Sequence, residues 1–364
     1  MNLYLHFPFC QQKCFYCDFV SLGHQEHLIG EYCDALSKEI VIYGEKFGKL
    51  KLETIYLGGG TPSLVETANL EKVFTALHQN FQITPQTEIT IEANPDSVSK
   101  TKLQAYLKMG INRLSMGVQA WQNDLLKLIG RTYQIEVLLQ AYQWAREVGF
   151  TNINLDLIFA LPTQTKAQWQ ESLTQVIALK PEHIACYSLE WDNNSIFAHQ
   201  LRRGKMRTAP DTLDRQMYHL ACKQLAQAGY EQYEISNFAK AGFACKHNAD
   251  FWAGKDYLGL GVAAASKIGN RVFENQKNLK LYCSQLNIGK LSITQTETLN
   301  AEEELTNRIA LALRTNAGVP QKLLKKEKLE KLVAQKLLKK ETDFVVLTSK
   351  GRDLLNQITL ELLG

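Results

Sequence analysis

The chain has 364 residues, 45% of them hydrophobic and 21% charged, enough to bury the core of one large domain with a smaller one beside it. Disordered and fibrous classes fall away. Lys plus Arg number 41 against 37 Asp plus Glu, and the resulting formal charge of +4 is too mild to argue for a nucleic-acid partner. No uninterrupted apolar run of roughly 18 residues occurs, and Met1 passes straight to polar Asn2 without a leader pattern. The expectation is a cytoplasmic protein.

Strand-like apolar runs at Leu3–Phe7, Thr54–Leu57, Glu88–Glu92, Arg113–Gly117, Asn152–Ile158 and His183–Leu189 alternate with segments of helical period. The helical segments are Glu31–Lys46, Leu70–Asn80, Lys100–Lys108, Ile135–Val148 and Gln168–Leu179. Repeated βα units of this kind predict an α/β fold, a partial (β/α)6 barrel, with ligands at the carboxyl ends of its strands. From Tyr230 the text turns aromatic and glycine-rich and reads as a loop-rich extension of the sheet. Beyond the polar stretch Ile293–Asn300, helical periods at Glu302–Arg314 and Leu329–Leu338, a strand at Phe344–Leu347 and a helix start capped by Thr348 predict a small winged-helix-like C-terminal domain. The expected division is 1–235, 236–292 and 293–364. Residues 321–340 carry eight Lys against two Glu and no Arg, which reads first as a solvated face over a leucine stripe and second as a membrane-surface or DNA-binding face.

Of eight cysteines, Cys10, Cys14 and Cys17 crowd into C-x3-C-x2-C just after the first strand. Soft thiolates at that spacing suit an iron–sulfur cluster or zinc, with His6 or His24 as the fourth ligand in the zinc case, and a redox disulfide is a further reading. Three cysteines on a [4Fe-4S] cluster leave one iron open for a ligand. Cys33, Cys186, Cys222 and Cys283 fall in helical or strand segments and read as packing residues.

The cysteine loop at the top of the first strand resembles that of the radical S-adenosylmethionine (SAM) superfamily. The resemblance implies SAM chelated to the open iron, with GGGTP (Gly59, Gly60 and Thr61) holding the SAM amino group. It also implies that Arg131 of GRTY clamps the SAM carboxylate, that Glu92 of IEANPD and Asp156 of NLDLIFALP face the ribose or sulfonium, and that Gln119 of GVQAW serves either end. Tyr4 matches a further SAM-contacting position.

From HFPFC through YEISNFA and HNADFW to its C-terminal unit, the sequence is similar to the HemN/HemW group. That group holds oxygen-independent coproporphyrinogen III dehydrogenases and heme-binding chaperones. The dehydrogenases continue the cluster motif with another cysteine, where this chain has Phe19, and carry a long segment before the cluster, where nine residues precede Cys10 here. KHNADFW resembles the chaperones' H-N-x-x-[YF]-W element and makes His247 the candidate heme ligand, with Cys245 as a rival thiolate. Ala263 and Ala265 in GLGVAAAS, and Phe251 where tyrosine is usual, depart from the group's text. The resemblance favours a heme chaperone over the dehydrogenase, with heme, acceptor hemoproteins and an electron donor for the cluster as partners. A homodimer and peripheral membrane attachment are further expectations, and no nucleic acid is expected.

Overall fold

In the computed structural model, residues 1–192 and 194–363 are described. β1 (Asn2–Phe7) is followed by a two-residue parallel bridge between β2 (Phe9–Cys10) and β3 (Leu22–Gly23) that frames the cysteine loop. Five βα crossovers follow: α1 (Ile29–Phe47), β4 (Thr54–Gly59), α2 (Thr67–Asn80), β5 (Glu88–Ala93), α3 (Lys100–Lys108), β6 (Arg113–Gln119), α4 (Asn123–Leu128), α5 (Ile135–Val148), β7 (Ile153–Phe159), α6 (Lys166–Ala178) and β8 (His183–Ser188). The six long strands pair in parallel in the order β1-β4-β5-β6-β7-β8, the predicted partial barrel.

Both flanks of the barrel are extended. After α7 (Ile196–Arg202), α8 (Asp211–Gln227) and β9 (Glu231–Gln232), β10 (Asn237–Ala239) adds antiparallel to β8, with β9 antiparallel on its outer side. After α9 (Lys246–Trp252), β11 (Tyr257–Leu260) runs parallel to β1 and leads into an antiparallel meander of β12 (Ala265–Ile268), β13 (Arg271–Asn275) and, beyond α10 (Leu279–Asn287), β14 (Ile293–Thr298). The extension expected to be loop-rich is therefore regular sheet, and HNADFW, read as a loop, is a helix. β14, placed by sequence at the head of the C-terminal unit, is the outer strand of this large sheet.

Alternation along the strands sorts the residues physically. Leu3, Leu5, Ile55, Leu57, Ile89, Ile91, Leu114, Met116, Leu155 and Leu157 are buried beneath the helices, where each contributes about 1.5–3 kcal/mol of apolar transfer. Their neighbours line the inner face, where Tyr4 stacks on Tyr56, Tyr56 bonds Glu92, and Ser115, Asn154 and Asp156 bond one another, so the barrel interior is polar.

The C-terminal unit has its own core of Ile309, Leu332, Val345 and Ile358, built from α11 (Ala301–Ala312), β15 (Val319–Pro320), α12 (Lys326–Ala334), β16 (Leu338–Lys340), β17 (Phe344–Leu347), α13 (Ser349–Asp353) and α14 (Leu355–Leu363). Thr348 caps α13 by accepting from Gly351 N–H, as expected. The helix expected to reach Leu338 ends at Ala334, because Lys336 turns to φ 59° and Leu338 pairs with Leu347. Asp353 joins this unit to the barrel through Arg215 (3.4 Å) and His219 (2.9 Å) of α8.

Candidate functional site: a cysteine-rimmed barrel mouth and a histidine at its floor

The loop after β1 carries all three cysteines of the motif. Cys10 is buried and its sulfur accepts from Thr61 Oγ1 at 3.7 Å, while Cys17 N–H closes a tight turn on Cys14 O at 3.2 Å. Burial pushes the Cys17 thiol up to about 11, and its two sister thiols add to the shift. Burial also raises Cys10. Thiols so placed give up their protons to a bound metal, not to water. Among the described residues no three His, Cys, Asp or Glu side chains already converge as a metal cage.

His6 has both ring nitrogens engaged, Nδ1 with Tyr4 OH at 3.0 Å and Nε2 with Val20 O at 2.8 Å, so it holds the cysteine loop and is not the fourth ligand that zinc needs. His24 is exposed. Cys10, Cys14 and Cys17 are unpaired thiols.

GGGTP ends β4 beside this loop. A side chain on Gly60 would put its Cβ 2.6 Å from Phe9 O and 3.0 Å from Cys10 Sγ, and Gly59 takes φ 111° with its pro-Cβ space filled by the His6 ring at 2.6 Å. Glycine is required at both positions, and the backbone there is an open cradle against the thiols. Glu92 ends β5, accepting from Tyr56 OH (2.8 Å) and Gly59 N–H (3.2 Å), and burial pushes its carboxyl up to about 7. Asp156 on β7 accepts from Asn154 Nδ2 (2.7 Å) and Ser115 Oγ (3.3 Å), and burial raises it too. Gln119 ends β6 in a left-handed backbone, φ 66°, at a register break with β7; a non-glycine residue stores strain of order 1 kcal/mol there.

Arg131 reaches across the mouth. Nη1 donates to Asn94 Oδ1 and Nη2 to the hydroxyl of Tyr16, inside the cysteine loop, at 3.0 Å, while Nε is buried with no partner among the described residues. A recess between the loop and the strand ends is lined by Cys14, Asn94, Asp96, Arg131 and Tyr133. A buried guanidinium with a donor to spare, beside a glycine cradle and two protonation-prone carboxylates, fits a zwitterionic amino-acid ligand bearing hydroxyls. The structure thus gathers Tyr4, Cys10, Cys14, Cys17, Gly59, Gly60, Thr61, Glu92, Gln119, Arg131 and Asp156 around one mouth. Sequence reasoning missed Tyr16, Tyr56 and Asn94, which hold Arg131 and Glu92; Asn94 also donates to Thr61 Oγ1 at 3.2 Å. Tyr56 was legible as the inward residue two before Gly58, and Tyr16 as the aromatic before Cys17.

His247 lies elsewhere. It sits in the first turn of α9, whose N-terminal N–H groups of Lys246 and His247 donate to the Glu88 carboxylate at 3.1 and 3.2 Å. α9 therefore covers the amino ends of the strands, the floor of the barrel. His247 Nδ1 meets Thr54 Oγ1, at the start of β4, at 2.7 Å, and its ring lies 5.0 Å from that of Tyr56. His247 therefore stands toward the amino end of β4, with the Tyr56 ring between it and Glu92, whose carboxylate accepts from the Tyr56 hydroxyl. Burial pushes its imidazole down to about 4, so it is neutral at pH 7, the form that ligates iron. Cys245 is fully buried and donates to Glu88 Oε1 at 3.5 Å, and burial pushes its thiol up to about 12. Phe251, 37% exposed, packs edge-on to Trp252 at 5.1 Å, and Arg314 of the C-terminal unit lies 4.7 Å over Trp252.

An open α/β barrel with thiols, glycine cradle, arginine and carboxylates at its mouth defines a cofactor-binding barrel protein. A sequence profile of the Radical SAM superfamily matches residues 4–176. The heme chaperone HemW of Bacillus subtilis (strain 168) is 33% identical over 375 aligned positions, spanning 100% of this chain and 99% of its own, and that of Synechocystis sp. is 38% identical over 87% of this chain and 78% of its own. Among solved structures, coproporphyrinogen III oxidase (HemN) from Escherichia coli, a radical SAM enzyme, superposes with a TM-score of 0.87 at 26% identity, over 99% of this chain and 89% of that one. The chain belongs to the radical SAM superfamily and, within it, to the family of the HemW proteins.

Proposed function

We propose that this protein binds heme and delivers it to acceptor hemoproteins, and that it carries a [4Fe-4S] cluster and SAM at the barrel mouth. The observation that carries the reading is its end-to-end similarity to proteins named heme chaperone HemW. Cys10, Cys14 and Cys17 are the cluster ligands, and His247 the heme ligand. When bound, the cluster supplies one-electron reducing power and an iron for SAM to chelate. The chain's own residues would do the rest: Arg131 would take the SAM carboxylate and the Gly59–Thr61 cradle the amino group, Glu92 and Asp156 would accept from hydroxyls, Gln119 would serve either end, and Tyr4 would back the ligand from β1. The electron donor, a homodimeric state and docking at a membrane surface belong to the same reading.

A second reading, coproporphyrinogen III dehydrogenase, is favoured by the likeness to HemN. Against it, Phe19 stands 61% exposed where those enzymes carry a further cysteine. Anaerobic incubation of the cluster-loaded protein with SAM, dithionite and coproporphyrinogen III separates the two. The chaperone reading expects the propionates intact and saturable heme binding by the same preparation; a divinyl product would replace it with the enzyme reading.

A further inference from the structure

The residues between Cys14 and Cys17 are docked on the turn that carries Arg131, and contacts of different kinds hold them there. Phe15 N–H donates to Ile129 O at 3.0 Å. The Phe15 ring lies over Gly130, where a Cβ would come within 3.0 Å of it and the backbone takes φ 81°, so only glycine admits this approach. The Tyr16 hydroxyl accepts from Arg131 Nη2 at 3.0 Å. Its ring packs on the apolar cluster that includes Leu125, Ile129 and Phe197, so packing of the loop places the hydroxyl.

Arg131 is thereby held from two parts of the fold. Nη1 donates to Asn94 Oδ1, just after β5, and Asn94 is fixed in turn by its N–H on Ser63 Oγ and its Nδ2 on Thr61 Oγ1, both at 3.2 Å. Nη2 answers to the cysteine loop instead. A planar guanidinium held at both Nη atoms presents Nε–H in one direction, and Nε has no partner among the described residues. A long side chain fixed in this way gives up less freedom when a carboxylate arrives.

We propose that Tyr16 is a positioning residue that couples the cysteine loop to the carboxylate end of the ligand site: closure of the loop places its hydroxyl, and the hydroxyl aims Arg131. This rests on the SAM reading above and adds to it the residue through which the loop and the ligand's carboxylate communicate. By linkage, whatever closes the loop strengthens carboxylate binding, and a bound carboxylate holds the loop closed.

The test compares two probes by equilibrium dialysis against cluster-reconstituted protein: SAM, and S-adenosylmethioninamine, which keeps the sulfonium and the amine and lacks the carboxylate. Wild type should prefer SAM. Tyr16→Phe keeps the ring on its apolar seat and removes only the hydroxyl, so it should weaken SAM about fivefold and leave the decarboxylated probe within about twofold of wild type. A residue that merely shaped the loop would weaken both alike. In an Arg131→Gln background, Tyr16→Phe should cost nothing further, because the group it acts through is gone. The preference is a ratio of affinities read within one preparation, so incomplete cluster loading cancels. An undiminished preference for SAM in Tyr16→Phe, or an equal further loss in the Arg131→Gln background, would overturn the inference and leave the SAM reading standing. A wild type that binds both probes equally would instead sink the assignment of Arg131 to the carboxylate, and this inference with it.

Discussion

Glu92 concentrates the chemistry of the mouth in one side chain. Burial pushes its carboxyl up to about 7, and Tyr56 and the Gly59 amide hold it against the glycine cradle. Its charged form, the better acceptor from an ammonium or ribose hydroxyl, is therefore about half populated near neutrality and grows as the pH rises. SAM binding, followed by equilibrium dialysis, should strengthen between about pH 6 and pH 8, and Glu92→Gln should flatten that dependence and weaken binding about tenfold at pH 8, or ~1.4 kcal/mol. A pH-independent wild-type affinity would remove Glu92 from the site. Gly60 gives a steric counterpart. In Gly60→Ala the new methyl would meet Phe9 O and Cys10 Sγ, so iron and sulfide retained after reconstitution should fall by more than half with the fold intact by circular dichroism. These residues were legible because each follows a recognisable strand end. Gln119's left-handed backbone was not, since it arises from the register break with β7.

Elements far apart in sequence are tied by single carboxylates. Glu39 of α1 is fully buried and accepts from Gly261 N–H (2.8 Å), Asn275 Nδ2 (2.7 Å) and Tyr282 OH (2.6 Å), locking the sheet extension and α10 onto the barrel. Burial pushes it up from an ordinary 4.5 to about 7. The folded chain thus holds a proton that the unfolded chain releases at lower pH, so this stabilisation is complete below about pH 4.5 and fades as pH rises through about 7. Melting temperature should fall across that window, and Glu39→Gln should make the fall shallower; an unchanged slope would show that Glu39 does not titrate there.

Glu88 plays the same tying part for α9. This explains why HNADFW was read as a loop: Cys245 is a poor N-cap by local rules, and the cap comes from a carboxylate 158 and 159 residues earlier in sequence. β14 was hidden for a related reason. ITQTET is exposed along its whole length, so it has no apolar period, and only pairing with β13 makes it a strand. The βα repeats, by contrast, bury one face against helices and write that period into the sequence.

Across the whole molecule, the cysteine loop and His247 occupy opposite ends of one polar barrel, and the C-terminal unit touches the histidine's helix through Arg314 over Trp252. The lysine-rich run of that unit is partly spent internally, with Lys331 on Glu361 (2.7 Å), Lys339 on Glu341 (2.6 Å) and Lys340 on Glu330 (2.5 Å). Duplex DNA should accordingly bind weakly and be released by modest salt in a fluorescence anisotropy titration; a tight complex at ~0.2 M salt would make the run a DNA-binding face after all. No helix among the described residues is long and apolar enough to cross a membrane.

Directed delivery differs from passive loss in its dependence on the acceptor. The heme-loaded, cluster-bearing protein should be mixed with a heme-free b-type hemoprotein at increasing concentrations, with apomyoglobin as a passive scavenger in parallel. The transfer rate should climb with acceptor concentration and exceed the plateau set by apomyoglobin. A rate equal to that plateau at every acceptor concentration would mean that heme leaves by simple dissociation, and would contradict the chaperone reading.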